Sequence, residues 1–132
     1  MALKVKPGEL ADAIQQELSS YQASMQIRLN GAALRAMKRL VDLTRSTAPR
    51  GRRGRFAKAI QMQQRDYGRE VKSRHYFWCV RPPEHRLAHL IVFGHATRNG
   101  GRTRANPFLH NALARVLPEY EQEVDRLVRD DP

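Results

Sequence analysis

The sequence is poor in several things that chemistry would need. It holds one cysteine, Cys79, which excludes an intrachain disulfide and a zinc site built from several cysteines. No apolar run approaches the roughly 18 residues that cross a bilayer as a helix. The opening MALKVKPGEL lacks the apolar stretch of a secretory signal, so cytosolic synthesis and no membrane partner are expected. Between residues 59 and 118 only Asp66, Glu70 and Glu84 are acidic, too few for a two-metal nuclease. No Ser/His/Asp or Cys/His arrangement can be assembled, and Cys79 lies in an apolar run where a thiol is inert. Neither an enzyme nor a cofactor is expected.

What is present suits one modest domain. The chain has 132 residues, 41% hydrophobic and 28% charged, enough for a single core spanning 1–132. Its net charge of +11 is uneven. Arg45, Arg50, Arg52, Arg53, Arg55 and Lys58 place +6 within residues 45–58, and Arg98, Arg102 and Arg104 add +3. Residues 119–132 carry −4. Basic loops at about 45–58 and 95–105 with an acidic tail fit a protein that faces a polyanion on one side and something else on the other. Two glycines among four arginines in RGRRGRF predict a mobile loop until an anion orders it. It is not a phosphate-binding P-loop, since no Gly-Lys-Ser/Thr follows.

Apolar residues at Leu10, Ile14, Leu18, Tyr21, Met25, Leu29, Ala33, Ala36 and Leu40 step by three or four and predict a helix. It would be about 50 Å long at roughly 1.5 Å per residue, long for so small a domain. Its surplus either packs on its own sheet or reaches a neighbouring subunit. Asn30-Gly31 is the expected break, and Ala48-Pro49 the end. Strands are expected over 59–67 and 70–80, with Phe77 and Cys79 toward the core and Tyr76 and Trp78 on the other face. That other face would pack within the sheet or offer bases a stacking platform. Residues 84–93 read either as a helix leading into a strand or as a strand throughout. Asn106 as cap and Pro107 in the first turn open a final helix, which Pro118 would kink. The fold class is α+β: a long N-terminal and a C-terminal helix on a small antiparallel sheet.

Five histidines, His75, His85, His89, His95 and His110, raise a metal hypothesis. HRLAH puts His85 and His89 on one helical face but lacks the glutamate of a metalloprotease pattern. His95, Asn106 and His110 resemble only loosely a His-Asn-His nuclease. Solvated or capping histidines are the expectation.

Three segments resemble, in order, those of a tailed-bacteriophage family of head–tail joining proteins, described as minor tail component, neck or tail-completion proteins. Ala48-Pro49 followed by Gly54-Arg55-Phe56-Ala57-Lys58-Ala59-Ile60 is the first. Ala88 through Phe93-Gly94 is the second, and Pro107-Phe108-Leu109-His110-Asn111-Ala112-Leu113 the third. The segments cover residues 48–113, about half the chain. Ala59, Val92 and His95 stand where the family has serine, glutamate and threonine. The resemblance implies a structural virion protein, made in the host cytoplasm, that forms a ring at the head–tail junction around the DNA channel. A hexamer or dodecamer would join portal or adaptor proteins to the tail tube, with basic loops toward double-stranded DNA or a neck partner. The alternatives are a small basic nucleic-acid-binding protein and a His-dependent nuclease.

Overall fold

The computed structural model describes residues 9–49 and 54–130. The elements are α1 (Leu10–Thr47), α2 (Arg55–Ala59), β1 (Ile60–Tyr67), β2 (Ser73–Val80), α3 (His85–Phe93) and α4 (Phe108–Asp130). The α+β class and the small antiparallel sheet stand as expected. The sheet has two strands, β1 and β2, paired from Ile60 opposite Val80 to Tyr67 opposite Ser73.

The helix α1 is unbroken over 38 residues, so the expected break at Asn30-Gly31 does not occur. Asparagine interrupts helices when its side chain bonds its own neighbouring backbone. Here the Asn30 side chain is occupied elsewhere: Nδ2 donates to the Lys72 carbonyl at 2.6 Å, and Oδ1 accepts from the Arg74 amide at 3.1 Å. Good helix formers on both sides carry the helix across Gly31.

The core has two joined parts. Val41 of α1 and Ala48, just past its end, pack with Phe56, Ile60, Val80, Val92 and Phe108. Leu40 packs with Ala112 and Val116 of α4. All three motif segments therefore meet in one core, through Phe56 and Ile60, through Val92, and through Phe108. Phe56 and Phe108 meet edge to face, with ring centroids 5.9 Å apart.

Trp78 joins the two parts, reversing the expected faces of β2. It packs against both clusters, whereas Phe77 is 47% exposed. Alternation along β2 separates two sets of side chains, but both sets contain aromatics, so pattern alone does not say which is inside. Hydrogen bonding settles it. Trp78 Nε1 donates to Thr44 Oγ1 at 2.9 Å, and Thr44, fully buried in α1, bonds back to the Leu40 and Val41 carbonyls. That chain gives every buried polar atom there a partner.

Other boundaries shift. β1 begins at Ile60 because Ala59 closes α2, and β2 begins at Ser73 rather than Glu70. Residues 85–93 are wholly helical, so the apolar run Leu87–Phe93 contains no strand. Asn106 caps α4 as expected, its Oδ1 accepting from the Phe108 amide at 3.1 Å, and α4 runs through Pro118.

Candidate interaction surfaces

The second basic segment is a small hairpin rather than an unstructured loop. The Thr103 amide donates to the His95 carbonyl at 2.8 Å, the Thr97 amide to Gly101 at 2.9 Å, and Ala96 bridges Arg102. The His95 amide and Nδ1 both lie against Thr103 Oγ1, at 2.8 and 3.1 Å. Gly94 makes the entry possible. Its φ of 73° is open to glycine, and a Cβ there would stand 2.5 Å from the Thr103 carbonyl. The Asn106 amide then returns the chain to the Ile91 carbonyl at 2.9 Å. Arg98, Arg102 and Arg104 are exposed on this hairpin, Arg102 also reaching the Phe93 carbonyl at 3.4 Å. From Leu87 to Pro118 the sequence has no acidic residue, so nothing local offsets them.

The first basic segment divides. Arg50, Arg52 and Arg53 lie outside the described residues. Arg45, expected on a loop, is in the last turn of α1 and donates through Nε to the Ile60 carbonyl at 2.8 Å. Arg55 and Lys58, expected on the same loop, are exposed on α2, behind Gly54 at φ 62°. Arg81 Nη2 holds the Lys58 carbonyl at 2.9 Å. Two arginines thus fasten the α2–β1 junction, a use that a count of charges does not disclose.

The remaining motif residues are mostly structural. Ala88 and Leu109 are half-buried against the core and Ala112 is buried, while Pro107 is exposed at the start of α4. Phe93, the last apolar residue of the second resembling segment, is 58% exposed and lies against His89, with centroids 5.5 Å apart. Val92 is the buried residue of that pair.

The histidines are dispersed. His75 lies against Tyr67, His89 against Phe93 and His95 against Thr103, while His85 and His110 are exposed. Among the described residues no three of His, Cys, Asp or Glu gather as a metal site would require. No described helix is long and apolar enough to cross a membrane.

A further surface was only hinted at by helix length. On the N-terminal half of α1, Leu10, Ile14, Leu18 and Tyr21 are 50, 51, 57 and 45% exposed. On the C-terminal half, Leu40 and Val41 are buried. Beside the covered half, Tyr76 lines two adjoining grooves. One is about 490 Å³, between α1 and the turn before β2, with Ile27, Leu34 and Val71. The other is about 200 Å³, between α1 and α4, with Met37, Leu113 and Leu117. Tyr76 thus faces the helices, away from the outer side of the sheet where the sequence pattern had placed a stacking platform.

Comparison of the chain with protein-family models, with curated proteins and with solved structures gives no match.

Proposed function

We propose that the protein is a structural subunit of a tailed-phage virion that assembles as a ring at the head–tail junction and joins the portal side to the tail around the DNA channel. One observation carries the reading. The three ordered segments that resemble head–tail joining proteins meet in a single core, and among the described residues nothing covers the apolar stripe of Leu10, Ile14, Leu18 and Tyr21 on the 38-residue helix. A domain that stays alone rarely keeps such a surface; one that assembles does. Ring closure needs two different patches on each subunit, and the bare stripe and the Tyr76 grooves are two different patches. The exposed Arg98, Arg102 and Arg104 suit phosphate contacts that read no base.

Mass measurement and particle images of the pure chain, alone and with neck proteins of its phage, test this. A closed ring of defined mass supports the reading. A chain that is monomeric in every mixture overturns it.

The same hairpin favours a second reading, a monomeric nucleic-acid-binding module. That reading expects salt-sensitive binding of duplex DNA by the monomer, lost on combined Arg98, Arg102 and Arg104→Ala substitution.

A further inference from the structure

Eighteen residues make about five turns of an α-helix and return to the same line along it. Ile14 and Ala32, Leu18 and Ala36, and Met25 and Leu43 are such pairs. On the C-terminal half this line is covered: Ala32 is fully buried, and Ala36 and Leu43 pack against the cluster of Leu40 with Ala112 and Val116 of α4. Ion pairs fix the antiparallel register, Arg39 with Glu119 at 2.8 Å and Arg35 with Glu123. In that register the end of α4, Asp130, falls level with about residue 28 of α1, counting the two helices at equal rise. Beyond the half-buried Met25 the stripe is exposed at Tyr21, Leu18, Ile14 and Leu10, the last some 22 Å past Met25 at roughly 1.5 Å per residue.

The bare segment also differs in charge. Residues 9–27 contain Glu9, Asp12 and Glu17 and no Lys or Arg. Residues 28–132 hold twenty-two Lys and Arg against ten Asp and Glu, a net +12. Glu17 flanks the stripe, while Glu9 and Asp12 lie toward the far side of the helix, so two such stripes face to face would find no opposite charge in each other. The Tyr76 grooves are the complementary surface: apolar along Ile27, Leu34, Met37 and Leu117, and bordered by Lys72 and Arg74 with Glu70 as the one acidic neighbour.

We infer that residues 10–25 of α1 dock, as an acidic amphipathic helix, into the Tyr76 grooves of a second copy of this chain. The inference rests on the ring reading and names its joint. An apolar helical face laid into a basic-rimmed groove is an established recognition mode. Because helix and groove are different patches, each subunit donates one and accepts the other, and the contact propagates until it closes.

Sedimentation and light scattering on the full chain test it, using Leu18→Glu to spoil the helix and Leu117→Glu to spoil the groove. Both positions are exposed, and circular dichroism checks that the helix content is kept. The wild type is expected to form a large oligomer and each variant to be a monomer. An equimolar mixture of the two is expected to stop at a dimer, since only one good helix and one good groove remain per pair. Lys72→Glu with Arg74→Glu is expected to weaken assembly tenfold or more at low salt, with less difference at high salt. If Leu117→Glu assembles like wild type, or the mixture stays monomeric while wild type forms rings, this joint is wrong and the ring reading stands. A wild type that is monomeric alone overturns the joint, and one monomeric with its neck partners overturns the ring reading as well.

Discussion

The two halves of α1 share one helix, one phase and one apolar stripe, yet differ in what lies against them. From Ala32 to Thr44 the stripe meets α4, and an adjacent face meets Trp78 of the hairpin. At Leu10, Ile14, Leu18 and Tyr21 the side chains are of similar kind, even larger, and are exposed. Helix formation therefore does not require that coverage here: propensity and continuity from the packed half extend it. The difference teaches that a small residue on the stripe, Ala36, admits a close partner helix within the chain. Ile14 and Leu18, at the same phase, are bulky and exposed, which suits the docking proposed for them.

The sharpest way to break the comparison is to place the same charge on both halves. Ala32→Glu should cost roughly 3 kcal/mol or more, because a longer, charged side chain would be forced into a position that is fully buried. Ile14→Glu, 18 residues earlier on the same line, should change stability by no more than about 0.5 kcal/mol in dilute solution. Urea unfolding followed by circular dichroism checks both; equal losses would mean that the bare half is covered after all.

Next in size is the contrast across β2. Trp78→Ala should cost about 3–4 kcal/mol, since it empties the space between the two core parts and removes the N–H that donates to the Thr44 hydroxyl. Phe77→Ala should stay below about 1 kcal/mol. Thermal melts of the two variants would reverse their order if Phe77, not Trp78, faced inward.

A smaller effect separates two glycines of the basic segment. Gly94→Ala should cost about 2 kcal/mol, through its positive φ and the collision with the Thr103 carbonyl. Gly100→Ala, also at positive φ but with no atom within 4 Å, should cost only about 1 kcal/mol. Denaturant midpoints would show the gap. The mildest expectation is a gradient of amide exchange along α1, with residues 12–25 exchanging at least about tenfold faster than 34–44 in the monomer. Flat protection along the helix would contradict it.

Much of this was legible in the residues and some was not, for physical reasons. The spacing from Leu10 to Leu40 announced α1, and Asn106 with Pro107 announced α4, because caps and periodicity are local signals. The continuity through Asn30-Gly31 was not, since the asparagine is engaged by backbone more than forty residues away. The inward face of β2 depended on Thr44, thirty-four residues from Trp78, and the helical state of Leu87–Phe93 on a short apolar run whose period is ambiguous. Among the candidate residues, the arginines of 98–104 could be named but not their hairpin. Arg45 was counted as loop charge although it fastens β1.

Asn30 stands near the boundary between the two halves of α1, and its side chain grips both the Lys72 carbonyl and the Arg74 amide. In mechanical terms the bare half is a lever arm of about 30 Å, at roughly 1.5 Å per residue, and Asn30 is its coupling pin. A load on the tip of that arm bears on these two hydrogen bonds to the turn before β2 as well as on the packed core. The turn before β2 is thus geared to the far end of the helix.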